Sequence, residues 1–266
     1  MNLTVSSLHI YPLKSAQGIS VTSMQLGKLG PDLDRRWMLI DINGKFITQR
    51  KHPKMCFICT ELIGNKLVLK VPEADSIEVA RPNATRLNSK VWGSLVSGND
   101  CGDEIADYLS KFLGTKCRLI FMPENFERQV DTGFANNNEL VGFADGFPLL
   151  VTSQASLNDF NHKLAYPIEM ERFRPNLVIN GNKAYDEDKW QRISINNITL
   201  SLVKPCARCI MPSINPATGE KEIQVNQTLM QYRRQGRNTY FGQNSLYDRF
   251  GIINVGDQVK VLESQS

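Results

Sequence analysis

The sequence predicts a mainly β protein of the α+β class. Three observations carry that prediction. Short apolar runs with every-other-residue alternation recur along the chain, each closed by Gly, Pro, Asn or Asp. Helical spacing is confined to a few short stretches. Residues 251–262 read apolar-apolar-x-Val-Gly-Asp-x-Val, a pattern that suits a turn and strand closing a β-barrel.

A chain of 266 residues can bury a substantial core as one large or two modest domains. Charged residues make up 22% and hydrophobic residues 41%, ordinary values for a soluble globular protein. A net charge of +4 gives no reason to expect nucleic acid, yet it suits a local basic pocket for an anionic ligand. The first residues lack a basic segment followed by an apolar one, so no signal peptide is expected. No apolar run is long enough to span a bilayer, so no membrane partner is expected. The 6 cysteines then read as reduced thiols in a cytoplasmic setting, not as a disulfide framework. No repeat or low-complexity stretch interrupts the chain, and the expected boundary falls near residues 121–123.

In chain order, residues 4–11 form the first expected strand, ending at Pro12. Lys14 and Ser15 follow at the strand end, where functional side chains are often presented; alone, Lys14 reads as a solvated surface lysine. Residues 21–29 form a second strand before a Gly30-Pro31 turn. Asp34-Arg35-Arg36-Trp37 opens a hairpin of strands 36–42 and 45–49 around Asn43-Gly44. Its two arginines either grip an anion or sit as edge charges. Residues 55–63 and 66–71 read as a second hairpin around Gly64-Asn65.

That hairpin holds Cys56 and Cys59, which with Cys206 and Cys209 raise a four-cysteine zinc site. Alternating strand faces and the long separation of the two pairs argue against it. Residues 72–90 are turn-rich and 90–97 form a strand. A helix over 105–113 follows acidic residues 103 and 104 and ends at Gly114. Cys101 reads as a packing residue. Residues 116–122 form a strand, 123–139 an Asn-rich irregular loop of functional length, and 149–152 another strand. A short helix capped at Ser153 runs to 161. Strands are expected at 177–179 and 193–203, and a short strand or helix at 229–232, before basic Arg233, Arg234 and Arg237.

The stretch from 204 to 220 is the most informative. Cys206 and Cys209 stand two residues apart with Arg208 between them, at the end of a strand or on the loop after it. A guanidinium favours a neighbouring thiolate. A thiolate is a nucleophile, a redox group or a soft metal ligand, while a buried cysteine only fills space. The residues alone leave these readings open.

Seven short motifs in a fixed order add a family resemblance: Tyr11-Pro12-Leu13-Lys14-Ser15, Asp34-Arg35-Arg36-Trp37, Phe143-Ala144-Asp145-Gly146-Phe147-Pro148, Phe173-Arg174-Pro175-Asn176, Cys206-Ala207-Arg208-Cys209, Asn215-Pro216-Ala217-Thr218-Gly219 and Phe241-Gly242-Gln243-Asn244. In these motifs the chain resembles, over essentially its whole length, MOSC-domain proteins with a preceding MOSC N-terminal β-barrel domain, such as YcbX-like proteins and the mitochondrial amidoxime-reducing component. The resemblance implies a MOSC N-terminal β-barrel-like domain over residues 1–121 and a MOSC domain over 122–264.

It further implies a molybdenum–molybdopterin cofactor, with Cys209 rather than Cys206 as the metal ligand and Arg208 favouring its thiolate. Lys14, Ser15, Arg35, Arg174 and Asn176 would cradle the cofactor, joined by Cys206, Ala207, Arg208 and Asn244. Asp145 would act beside the metal, as a proton relay or a pterin contact, or else serve as a structural cap. The implied activity is reduction of hydroxylamines, amidoximes and N-hydroxylated bases. The cysteine spacing of the ferredoxin domain found in longer YcbX-like proteins is absent. Electrons are therefore expected from a separate ferredoxin-, flavodoxin- or flavin-reductase-like protein. Arg233, Arg234 and Arg237 are either its docking cluster or a solvated face. The alternatives are a persulfide-carrying sulfur module acting in cofactor sulfuration, and a non-enzymatic cofactor-binding protein.

Overall fold

The computed structural model describes residues 2–265 except 65, 80–84, 124 and 126. Its centre is a closed ring of seven strands. Around the ring they run Leu149–Ser153, Leu177–Asn180, Leu3–Ile10, Gln258–Ser264, Trp190–Ile195, Ile198–Ala207 and Asn238–Tyr247, and the last pairs back to the first. Alternation explains the ring: Val5, Leu8, Ile179, Ile193, Ile195 and Leu200 all point into one buried core. Each contributes about 1.5–3 kcal/mol of burial. One ring pair is parallel, Leu149–Ser153 beside Leu177–Asn180, and the helix Gln154–Asn161 lies in the crossover such a pair requires. As expected, Gln258–Ser264 closes the ring, between Leu3–Ile10 and Trp190–Ile195.

The chain enters this ring at its first strand, leaves it to build a second unit, and returns near residue 149. The second unit has a four-stranded sheet, ordered Trp37–Asp41, Cys117–Phe121, Ser94–Asp100, Arg86–Val91, and a three-stranded sheet from Cys59–Ile63 to Ile77–Val79. The helix Asp103–Leu113 packs Ile105 and Leu109 into their shared core, with Trp37, Leu39, Leu67 and Leu119. It stops where expected, at Gly114 in the left-handed region (φ 67°). The fold is thus mainly β, with three α-helices among the described residues. None of the described helices is long and apolar enough to cross a membrane.

Several elements differ from expectation. The run 193–203 is a hairpin, Trp190–Ile195 and Ile198–Ala207, turning at Asn196 with φ 53°. Apolar alternation resumes directly after Asn196-Asn197, shifted by one residue from Ile193 and Ile195 to Ile198 and Leu200, and that phase shift marks the turn. The run 90–97 is likewise a hairpin, Arg86–Val91 and Ser94–Asp100, turning at Trp92 with φ 54°. The segment 21–29 splits into Ile19–Val21 and Ser23–Gly27, and Gly30–Pro31 pairs back on the latter.

The turn at Asn43-Gly44 forms, and residues 45–47 pair back on Trp37–Asp41: Asp41 N–H donates to Lys45 O, Ile47 N–H to Leu39 O, and Ile40 bridges Phe46, while Cys117–Phe121 takes that strand's other edge. Pro53 starts a 3-10 turn, Pro53–Phe57, so Cys56 is buried in that turn and only Cys59 begins the strand. Residues 229–232 end a longer helix, Ile223–Tyr232. Asn65 of the expected Gly64-Asn65 turn, residues 80–84 of the turn-rich stretch and residues 124 and 126 of the Asn-rich loop lie outside the described residues.

Behind the crossover helix sits an unusual carboxyl. Glu187, on the 3-10 turn Asp186–Asp188, is 1% exposed. One oxygen accepts from Ser156 Oγ at 2.6 Å and the other has no partner. Burial pushes its carboxyl up to about 7.

Candidate functional site

The site forms where the two units meet. Leu3–Ile10 ends at Pro12, which has no N–H to continue a ladder. Leu13 then bridges to Trp37, and Lys14 N–H donates to the Trp37 carbonyl. This turns Lys14 and Ser15 inward. Ser15 (φ 71°), Arg35 (φ 47°) and Arg174 (φ 56°) all hold left-handed backbone, which costs each about 1–2 kcal/mol. Such strain concentrates where side chains must be aimed.

Every residue picked from the sequence lines one cavity of about 150 Å³: Lys14, Ser15, Arg35, Asp145, Arg174, Asn176, Cys206, Ala207, Arg208, Cys209 and Asn244. A second cavity of about 450 Å³ adjoins it, sharing Arg174 and Met211 and lined further by Tyr11, Gln17, Cys56, Glu171 and Pro216.

The charges are arranged in layers. Beneath the cavity Asp34 binds Arg35 Nη1 through both oxygens, at 2.8 and 2.6 Å, and Asp34 Oδ1 also accepts Tyr11 N–H. Burial raises the Asp34 carboxyl, and Arg35 opposes the rise. Asn176, 2% exposed, is a brace: it donates to His9 O and accepts from Arg35 Nη1 and Leu150 N–H. Arg35 is therefore already neutralised. Arg174 is not. Its Nη1 donates to Ala16 O at 2.6 Å, while Nη2 is buried without a partner. Burial and the neighbouring Arg35 lower it to about 10. Both guanidiniums stack 4.2 Å from the centre of the Tyr11 ring.

On the cavity wall Lys14 Nζ donates to Phe143 O at 2.8 Å and to Asp145 Oδ1 at 2.5 Å. Burial lowers Lys14, against the pull of Asp145. Asp145 keeps two thirds of its side chain open (66%). The charge and hydrogen bond of Lys14, with the more distant charge of Arg50, hold its carboxyl well below the usual carboxylate range.

The cysteine motif corrects one expectation. Arg208 serves Cys206, not Cys209: Nη1 donates to Cys206 Sγ at 3.0 Å and Nη2 to Phe173 O at 2.8 Å. Alternate residues of an extended chain share a face, so Cys206 and Arg208 meet, while Cys209 joins the same cavity wall from the loop beyond the strand. Cys206 lies in Ile198–Ala207 and Cys209 is an exposed thiol on the loop after it. Arg208 Nε is buried and unpaired. Asn244 donates to Lys204 O. Cys56 packs 3.9 Å from Asn215 O, on the turn beyond Cys209. No metal-sized group of three His, Cys, Asp or Glu assembles among the described residues.

Sequence reasoning missed three contributors. Buried Arg128, from the Asn-rich loop, donates to the carbonyls of Gly142, Ala144 and Asp145 and so shapes the turn bearing Asp145. Arg50 lines the cavity, and Trp92 lies 4.4 Å from its guanidinium. The Trp92-Gly93 pair was the available signal for a turn; nothing local marked Arg128. The expected basic cluster also changes, because Arg233 is bound to Asp188 and to Tyr240 O and stacks on Tyr185. Arg234 and Arg237 remain exposed.

Comparison with known proteins agrees with this geometry. Residues 2–116 match the MOSC N-terminal beta barrel domain and residues 138–260 the MOSC domain. Mitochondrial amidoxime-reducing component 1 of Mus musculus is 33% identical, over 97% of this chain and 82% of that protein. Mitochondrial amidoxime reducing component 2 of Homo sapiens is 31% identical, over 96% and 82%.

Proposed function

The chain belongs to the MOSC-domain family that includes the mitochondrial amidoxime-reducing components, and from that membership we propose that it is a molybdenum cofactor-dependent reductase of N-hydroxylated compounds. The observation that carries this reading is the donor set of the cavity. Two buried guanidinium nitrogens, Arg174 Nη2 and Arg208 Nε, lack partners, and an exposed thiol, Cys209, shares their wall. Leaving buried cationic donors unpaired is costly, and an anionic group such as a pterin phosphate relieves that cost. A soft thiolate suits molybdenum. The residues fit the group.

Arg174, Ser15 and the backbone of 206–208 then hold the cofactor, Arg35 and Asn176 stiffen the floor beneath it, and Asn244 fixes the strand opposite. Cys209 is the metal ligand; Cys206, engaged by Arg208, is not. When bound, the molybdenum centre supplies the two-electron couple for R–NH–OH + 2e⁻ + 2H⁺ → R–NH₂ + H₂O. Asp145, held ionised by Lys14, accepts a hydrogen bond from the substrate N–H or O–H and orients it. Lys14 Nζ, made more acidic by burial, gives a proton to the departing oxygen. The electrons come from a separate carrier protein. The cysteines all stand free, in keeping with a reducing cytoplasm.

The test is molybdenum content and benzamidoxime reduction with reduced methyl viologen, on protein from a host that makes the cofactor. Wild type and Cys206→Ala should hold near-stoichiometric molybdenum. Cys209→Ala should lose metal and turnover, and Arg174→Ala should weaken cofactor retention about 10- to 100-fold. Full metal and activity in Cys209→Ala would refute the ligand assignment. Absent molybdenum with a sulfane-sulfur adduct on Cys209 would favour the sulfur-carrier alternative.

A further inference from the structure

Trp92 is the least expected residue near the cavity. A bulky side chain at positive φ is uncommon and strained, yet Trp92 is 52% exposed. It is fixed from two sides: the Arg50 guanidinium lies 4.4 Å from its ring, and Phe46 meets it edge-on at 5.8 Å. The hairpin that bears it and the turn tied to that hairpin expose two more apolar side chains. Leu95 is 72% exposed and pairs directly with Lys90, and Ile42 is 74% exposed at the tip of the adjoining turn. Lys45 bridges to Lys90, which ties that turn to the hairpin. Monomeric surfaces rarely leave such a patch without use.

Cations outnumber acids on this face, where Asp41 caps the turn at 41–44 and Asp145 is held by Lys14. Residues 42–60 and 86–99 contain no Asp or Glu, while Lys45, Arg50, Lys51, Lys54, Arg86 and Lys90 lie within them. Among the described residues none of these cations is in an ion pair. An apolar centre with a cationic rim is the anatomy of a transient protein interface. The face also leads to the site, because Arg50, which lies against the Trp92 ring, lines the cavity.

We propose that this face, centred on Trp92 and Leu95 and ringed by Lys45 and Lys90, is the docking surface for a small acidic electron-transfer protein. The proposal rests on the reductase reading. It replaces the cluster at 233–237, where Arg233 is already committed to Asp188. Each turnover takes two electrons, delivered as successive one-electron transfers when the carrier is a [2Fe–2S] ferredoxin, and each carrier leaves oxidised by the electrons it gave. Those electrons, with two protons, leave as the amine N–H and water. Complementary charge speeds encounter and sets the partner, and the apolar centre holds the pair while electrons pass.

The experiment uses the loaded enzyme with benzamidoxime and two sources of electrons. One is reduced methyl viologen, which needs no docking; the other is a reduced acidic carrier, a [2Fe–2S] ferredoxin or a flavodoxin. In Lys45→Glu/Lys90→Glu the viologen rate should persist, while the KM for the carrier rises about tenfold or more. The wild-type dependence of that KM on salt, from about 0.05 to 0.3 M, should flatten. Arg234→Glu/Arg237→Glu should behave as wild type. Should charge reversal lower the viologen rate itself, Leu95→Ser probes the same surface and should raise only the carrier KM. An unchanged carrier KM in these variants, a loss confined to Arg234→Glu/Arg237→Glu, or failure of both carriers to drive wild type would overturn the proposal. Absence of viologen-driven turnover in loaded wild type would instead sink the reductase reading, and this surface with it.

Discussion

Lys14 and Asp145 illustrate how position changes a residue. Read from its own segment alone, Lys14 is a surface lysine, and only the family resemblance draws it into the site; in the fold it is buried against a carboxylate that it keeps ionised. Glu187 is the opposite case, a carboxyl that burial keeps protonated up to about 7. The ordinary value for glutamate is 4.5. Between these values the unfolded chain gives up its proton and the folded one keeps it, so stability falls as pH rises from 4.5 through about 7. The loss is about 3 kcal/mol. Glu187→Gln should abolish that slope, which urea unfolding from pH 5 to 8 would reveal; an undiminished slope would assign it to another group. Glu187 was not legible in the sequence, because its burial depends on a helix that begins more than thirty residues earlier. Arg128 was hidden for the same reason: its partners, the carbonyls of 142–145, are fixed by long-range packing. The residues that were found sat in short motifs whose chemistry is local.

At the scale of elements, the hairpins that sequence reading fused, at Asn196 and at Trp92, turn on non-glycine residues in left-handed backbone. Apolar residues resume within two or three positions of each turn, so each run looks like one longer strand, and only Asn196-Asn197 and Gly93 mark the breaks. Helices with an explicit signal were legible: Ser153 caps Gln154–Asn161 by accepting from Ser156 N–H, and Gly114 ends Asp103–Leu113. Gly242 is a further element-level constraint. It sits in Asn238–Tyr247 at φ 79°, and a Cβ there would stand 2.7 Å from Thr152 Cγ2 and 2.8 Å from Val151 O. Gly242→Ala should therefore push apart the antiparallel pair that carries Leu150 opposite Asn244. The expected cost is roughly 2–4 kcal/mol, with reduced molybdenum content. Unchanged urea stability would mean that the strands part there without penalty.

At the scale of the molecule, ring and second unit share one span of chain. Leu3–Ile10 belongs to the ring, and Leu13, three residues on, packs in the other core. Far-ultraviolet dichroism and tryptophan fluorescence, the latter reporting Trp37 in one core and Trp190 in the other, should trace one coincident urea transition. Two separated transitions would show units that fold independently. The ring also has a consequence for synthesis. Its last strand, Gln258–Ser264, lies between the first, Leu3–Ile10, and Trp190–Ile195. Until that strand leaves the ribosome, both neighbours present bare edges that invite pairing with other chains. The nascent polypeptide must therefore wait, shielded by chaperones or by speed, for its final strand to arrive.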